Sequence, residues 1–134
     1  MKFSKGFLTF FLTTYIFLTA FPSWAGDFNL DGTDDLVWLN DTTGGVAIWL
    51  LGETGPSVNR TDVEILQACF VGSVNPAEWK IAFVGDVNGD GISDLVFNSR
   101  INNSVAVWFL DGCSLKGAKF IGSPGDLGWK IQPG

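Results

Sequence analysis

Asp-x-Asn-x-Asp-Gly-x-x-Asp occurs twice in this chain, as Asp27-Phe28-Asn29-Leu30-Asp31-Gly32-Thr33-Asp34-Asp35 and again as Asp86-Val87-Asn88-Gly89-Asp90-Gly91-Ile92-Ser93-Asp94. Oxygen-bearing side chains stand at positions 1, 3, 5 and 9 of both copies. Ca²⁺ takes about six to eight oxygen ligands at about 2.3–2.6 Å, and alternate side chains wrap it where a glycine turns the chain. The pattern therefore predicts a calcium-binding loop in each copy.

The predicted ligands are the four side chains and the backbone carbonyl at position 7. The alternative is a turn that binds no metal, since Asp, Asn and Gly form turns on their own. Such a turn would hold four carboxylates in the first loop and three in the second, which repel one another. A cation removes this repulsion and is therefore favoured. The ligand sets are Asp27, Asn29, Asp31, Thr33 and Asp35 in the first loop and Asp86, Asn88, Asp90, Ile92 and Asp94 in the second.

The residues after each loop indicate strands rather than helices. An EF-hand places a bidentate Glu at position 12, where this chain has Trp38 and Phe97. The runs Leu36–Leu39 and Leu95–Phe97 are apolar, β-branched and aromatic, a composition typical of strands. Each loop is therefore predicted to join two strands of a β-hairpin.

The repeat extends beyond the loops. The stretch Val46–Leu51 recurs as Val105–Leu110, at the same offset as the two loop motifs. Farther on the offset becomes shorter by nine positions, for Phe70–Ser73 and Trp79–Ile81 recur as Phe120–Ser123 and Trp129–Ile131. The first repeat therefore carries nine extra residues between Gly52 and Phe70, and we expect them in a loop.

One unit of roughly 50 residues with four antiparallel strands has the size of a β-propeller blade. The motif Gly-Asp-x-Asn-x-Asp-Gly-x-x-Asp-Leu at Gly26–Leu36 and Gly85–Leu95 resembles the bacterial FG-GAP or VCBS-type repeats, whose blades also build the propeller of integrin α subunits. The resemblance implies an all-β fold of two four-stranded blades, with one Ca²⁺ between the first and second strands of each. We assign residues 26–84 to the first repeat and residues 85–134 to the second, which ends in the first strand of a third.

Residues 1–25 are predicted to be a secretory signal peptide. Lys2 and Lys5 precede an apolar run that is shorter than a bilayer span, and small residues flank Trp24 before a cleavage site after Ala25. We therefore expect an extracellular or periplasmic protein with no stable membrane insertion after cleavage. Cleavage changes the formal charge from −6 to −8, and seven of the 14 acidic residues lie in the two loops. With no basic cluster, nucleic acid is not an expected partner.

Propellers of the resembling family usually close with about six to eight blades, whereas this chain has two. Joining the tail that begins at Trp129 to the head at Gly26 restores the spacing found internally between Trp79 and Gly85. Two interpretations fit. Protomers join head to tail as a trimer or tetramer, each donating its last strand to its neighbour. Alternatively the chain is a fragment of a larger propeller protein, which includes the case of a propeller-containing enzyme.

Cys69 and Cys113 are an even pair in a chain predicted to enter an oxidising compartment, which allows a disulfide. They occupy non-equivalent positions in the two repeats, so the pattern leaves open whether they pair or stay as two buried thiols.

A binding role is favoured over catalysis. The chain contains no His and no nucleophile-elbow pattern, so neither a triad nor a histidine base is available. Loops on a stiff scaffold suit recognition of a glycan or a protein, as in adhesion. Trp49 and Trp108 recur among apolar neighbours, which favours a core between blades over sugar stacking. The segment Gly52–Gln67 departs most from the repeat and is the predicted specific surface.

Overall fold

The computed structural model describes residues 25–55 and 61–132, and these residues form two antiparallel sheets and no helix. The all-β prediction is therefore confirmed for the described part of the chain. Apart from Ala25, the predicted signal peptide lies outside the described residues. The sheets follow one another along the chain, and we call each sheet with its loop a unit.

The first sheet has the strand order β1-β2-β3-β4, and its first strand is only two residues long. Its strands are β1 Ala25–Gly26, β2 Asp35–Leu39, β3 Gly45–Glu53 and β4 Val63–Ser73. The second sheet repeats this order as β5-β6-β7-β8. Its strands are β5 Trp79–Gly85, β6 Asp94–Ser99, β7 Val105–Asp111 and β8 Ser114–Gly122.

The two sheets share their register as well as their order. Trp49 pairs with Ala68 across β3 and β4, and Trp108 pairs with Ala118 across β7 and β8. Register shifts typical of β-bulges fall at matching places, after Leu50 in β3 and after Phe109 in β7, with a second matching pair near the start of each strand. The repeat seen in the sequence is thus a repeat of backbone geometry.

The nine extra residues of the first unit fall between the paired ends of β3 and β4, in a stretch of which residues 56–60 lie outside the described part of the chain. Gly52 pairs with Glu64, and the equivalent pair in the second unit is Asp111 with Ser114. Eleven residues separate the first pair and two separate the second. The prediction of an insertion between Gly52 and Phe70 is confirmed and narrowed to this stretch.

The core lies between the two sheets. Alternate residues Val46, Ile48 and Leu50 of β3 are buried, as the two-residue period of a strand requires. They form one cluster with buried side chains of the second unit, among them Leu95 and Phe97.

A disulfide links the two sheets. Cys69 lies in β4, Cys113 lies in the turn between β7 and β8, and their sulfurs are 2.01 Å apart. Of the two alternatives that the sequence left open, the structure has the disulfide.

The C-terminal segment differs from its predicted form. Trp129–Ile131 was expected to form a strand like Trp79–Ile81, yet it lies outside any strand. Trp79–Ile81 pairs with β6 of its own unit, which follows the second loop, whereas Trp129–Ile131 pairs with none of the described strands. The segment is instead held by Asn103, whose Nδ2 donates to the carbonyl oxygens of Asp126 and Trp129 at 2.8 Å each.

Candidate metal centre

Each predicted calcium loop connects the first and second strands of its sheet and folds around its first aspartate. In the second loop Asp86 Oδ1 accepts from the backbone N–H groups of Gly89 at 2.7 Å and Asp90 at 3.1 Å. Asp86 Oδ2 accepts from the N–H of Gly91 at 2.7 Å. Gly91 has a φ of +88°, a left-handed conformation in which glycine carries no steric penalty.

The first loop repeats two of the three hydrogen bonds to its first aspartate. Asp27 accepts from the N–H groups of Asp31 at 3.1 Å and Gly32 at 2.9 Å. Asp31 Oδ1 in turn accepts from the N–H of Thr33 at 2.8 Å, as Asp90 Oδ1 does from Ile92 at 2.9 Å. The two loops thus share these backbone contacts, and the bond from the N–H of Gly89 to Asp86 is found in the second loop alone.

The last aspartate of each loop fastens the loop to the third strand. Asp94 is fully buried, and its two oxygens accept from the N–H groups of Val87 at 3.1 Å and Leu110 at 3.2 Å. Asp35, also fully buried, accepts from Phe28 at 2.8 Å and Leu51 at 2.9 Å. Leu110 and its equivalent Leu51 are the residues just after the bulge. Sequence reasoning assigned position 9 only as a ligand and missed this link.

The pKa values of the loop carboxyls are shifted in different directions. Burial raises the pKa of Asp94, the two backbone N–H groups that it accepts from partly oppose this, and the nearby carboxylates of Asp90 and Asp86 raise it further. The same causes raise the pKa of Asp35. By contrast, the backbone N–H of Gly91 holds the pKa of Asp86 below its ordinary value, with further help from other loop N–H groups. In each loop the last carboxyl, Asp35 or Asp94, is thus buried in a place that disfavours its charged form.

The second loop brings three carboxylates together. One oxygen each from Asp86, Asp90 and Asp94 lies within 4.8 Å of the other two. The candidate ligand atoms are all carboxylate oxygens, which suit a hard cation such as Ca²⁺. The residues of the second loop therefore fit the predicted ion.

The first loop is arranged less closely. Among the described residues, Asp27, Asp31 and Asp35 form no comparable three-carboxylate group. Asn29 Nδ2 donates to Asp31 Oδ2 at 3.1 Å, so one predicted ligand binds another. The ligand roles of Asn88 and of the Thr33 and Ile92 carbonyls stay predictions.

The first loop also contacts the second unit through its backbone. The carbonyl oxygen of Asp27 accepts from the N–H of Ser93 at 3.1 Å, and that of Phe28 accepts from Gly112 at 2.6 Å. Ser93 itself belongs to the second loop. The two predicted ion sites are therefore linked by one direct backbone hydrogen bond.

A family profile described as the FG-GAP-like repeat matches residues 27–97. The chain belongs to the FG-GAP-like repeat family. The match covers just over half of the 134 residues and runs from the first loop into β6. It confirms the resemblance inferred from the two loop motifs.

Searches of curated proteins and of solved structures found no match to this FG-GAP-like repeat protein. Within its described residues, nothing forms a helix with the length and apolar character needed to cross a membrane.

Proposed function

We propose that this FG-GAP-like repeat protein is a secreted, calcium-stabilised module of the β-propeller type that acts by binding rather than catalysis. The observation that carries the calcium assignment is the meeting of the Asp86, Asp90 and Asp94 carboxylates within 4.8 Å. When bound, Ca²⁺ would neutralise these charges and join them. The first loop, with the same sequence pattern and backbone path, is the second site.

The predicted ligands of the second loop include both exposed and buried carboxylates. Asp86 and Asp90 are exposed and Asp94 is buried, so a bound ion would be held by two carboxylates at the surface and one from the core. Because Asp94 also accepts from Leu110, ion binding in the loop reaches the third strand of the sheet. A ligand that binds only the folded state stabilises it by about 2.7 kcal/mol per site at a hundredfold excess over its dissociation constant.

The test combines Asp86→Ala with Asp90→Ala. We expect this variant to lose the part of the calcium-dependent stability that the second loop supplies, about half of the wild-type increment in the free energy of unfolding. The measurement is chemical denaturation in calcium and in chelator, together with calorimetric titration of bound Ca²⁺.

The matched control combines Asp41→Ala with Asp62→Ala, which removes two exposed carboxylates outside the loops. It should keep the full calcium response, because the change in net charge is the same but no predicted ligand is lost. An equal calcium response in the loop variant and the wild type would refute the assignment.

Calcium stabilisation is expected to weaken in acid. A carboxyl whose pKa is higher in the folded than in the unfolded state favours folding below its unfolded pKa, and that contribution is lost as pH rises through the folded pKa. Asp35 and Asp94 are of this kind in the metal-free protein. Ca²⁺ needs them deprotonated, so protons compete with the ion. The difference in melting temperature between calcium and chelator should shrink from about pH 7 to about pH 4; a constant difference would contradict this.

The proposed binding role rests on the two repeated sheets and on the β3–β4 hairpin, which departs from the repeat. The β3–β4 hairpin exceeds the β7–β8 hairpin by nine residues and leaves Ile65 and Leu66 exposed. We therefore keep Gly52–Gln67 as the candidate surface for a glycan or protein in an adhesion role. The absence of His from the sequence supports a chain that is not an enzyme. The alternative, a segment of a larger propeller protein or propeller-containing enzyme, predicts calcium-dependent folding without a ligand.

A further inference from the structure

The two units pack through unlike faces, which leaves each unit with one open face. In the first unit the face toward the second buries Phe28 completely and Val71 in part. The equivalent residues of the second unit are Val87, which is 44% exposed, and Ile121, which is 57% exposed. The second unit therefore presents an uncovered copy of the face that the first unit has buried.

The opposite face shows the reverse. Leu95 and Phe97 of the second unit are 0% and 1% exposed, because the first unit covers them. Their equivalents in the first unit, Leu36 and Trp38, are 37% and 48% exposed. The first unit thus presents an uncovered copy of the face that the second unit has buried. The two open faces are the two halves of the interface that already exists inside the chain.

A close contact of one indole shows how the halves fit. A Cβ added to Gly72 of the first unit would lie 2.9 Å from the ring of Trp108, so the glycine makes room for this tryptophan. At the equivalent Gly122 an added Cβ meets nothing within 4 Å. The equivalent tryptophan, Trp49, lines an open groove of about 470 Å³ together with Trp38 and Phe70. The second unit thus has open space at Gly122, and the first unit has Trp49, in contact with Trp38 at 4.9 Å between ring centroids, in an open groove.

Charge distinguishes the open faces from the internal interface. Lys119 occupies in β8 the place that Cys69 occupies in β4. The position equivalent to Cys113 in the first unit is Val63. Cys113 precedes Ser114, and Val63 precedes Glu64, the residue equivalent to Ser114. Where the internal interface has a disulfide, the open faces therefore offer a lysine on one side and, on the other, Val63 with its cross-strand partner Glu53. Opposite charges on matching positions favour their contact.

We propose that the open faces bind a second copy of this chain, head to tail, so that the second unit of one copy packs on the first unit of the next as the two units pack within a copy. The outer edge of β2 at Trp38–Leu39 would then lie next to Trp129–Ile131 of the neighbour, as Trp79–Ile81 lies next to β6. A heterologous contact of this kind closes a ring or continues as a filament. Since propellers built from repeats of this kind usually close with about six to eight blades, three or four copies with two blades each would complete a ring. The inference does not rest on calcium binding.

An engineered crosslink tests the contact directly. With Val63→Cys and Lys119→Cys in the full chain, we expect a disulfide between copies. Non-reducing gels should show chains joined in multiples up to three or four, and reduction should return the single chain. The matched control pairs Val63→Cys with Ala118→Cys, because neighbouring residues of a strand point to opposite faces of the sheet. Equal crosslinking of both variants, or none in either, overturns the proposal.

Solution mass tests it without new cysteines. Light scattering of the full chain, expressed from Met1 and purified as the cell processes it, should give three or four times the mass of one chain. Lys119→Glu places a like charge next to Glu53 of the neighbouring copy and should weaken association at least about tenfold, whereas Lys119→Glu with Glu53→Lys should restore it. A wild-type mass of one chain at every concentration, in calcium and in chelator, overturns the proposal and assigns the faces to another occupant. Loss of calcium binding with the multimer intact would refute only the proposed ion sites.

Discussion

Loss of the Cys69–Cys113 disulfide is expected to lower the free energy of unfolding by about 4 kcal/mol. The bond joins residues 44 positions apart, and closing a loop of this length removes about that much chain entropy from the unfolded state. It also joins β4 of the first sheet to the turn that follows β7, so the unfolded chain loses the freedom to separate its two units. A stability of about 5–15 kcal/mol is usual for a domain, which makes this a large share.

The measurement is urea denaturation of the wild type and of a variant with Cys69→Ser and Cys113→Ser, each with and without a thiol reductant. The reductant should shift the wild-type midpoint to that of the variant and leave the variant unchanged. Calcium should be held constant, because ion binding also stabilises the folded state. If the reductant did not change the urea midpoint of the wild type, the bond would contribute no stability.

Asp94→Ala is expected to destabilise the protein by about 2–5 kcal/mol even without calcium. The change leaves the buried N–H of Leu110 and the partly buried N–H of Val87 without an acceptor, and an unsatisfied buried donor costs about 1–3 kcal/mol. Asp90 belongs to the same carboxylate group but is exposed, so Asp90→Ala should change the metal-free stability by less than about 1 kcal/mol.

Denaturation in chelator and in calcium separates the two aspartates. Both variants should lose the calcium increment of the second loop, but only Asp94→Ala should also lose stability in chelator. Asp35→Ala provides a second comparison, since Asp35 accepts from Phe28 and Leu51 in the same way. Equal stability of the Asp94 and Asp90 variants in chelator would mean that the link to the third strand carries no energy.

Much of the fold could be predicted because the residues that recur between the two repeats also occupy equivalent positions in the strand pairing. Trp49 and Trp108 recur at the offset of the loop motifs, and their pairings with Ala68 and Ala118 are equivalent. The shorter offset in the later part of the repeat predicted an insertion in a hairpin, and the pairing locates it. The loops could be predicted because their ligand types and turn glycines follow a local pattern.

Features that depend on packing between units could not be predicted. Cys69 and Cys113 have no equivalent in the other repeat, so their proximity follows only from how the sheets dock. The hydrogen bond from Leu110 to Asp94 depends on a bulge in β7. No residue type in the sequence indicates the position of that bulge. Trp129–Ile131 shares its residues with a true strand, yet a strand also needs a neighbour, which local sequence does not specify.

The long tip of the β3–β4 hairpin has a practical use in protein engineering. Gly52 and Glu64 are in the same register as Asp111 and Ser114, so nine residues were accommodated there without a shift in the ladder below. A foreign peptide grafted between Glu53 and Val63 should therefore leave the strands of the sheet unchanged, although it would lie beside the proposed contact between copies. The same graft at Gly112 would lie beside Cys113 and disturb the covalent link between the sheets. Of two equivalent hairpins, one is suited to carry new sequence and the other is committed to holding the molecule together.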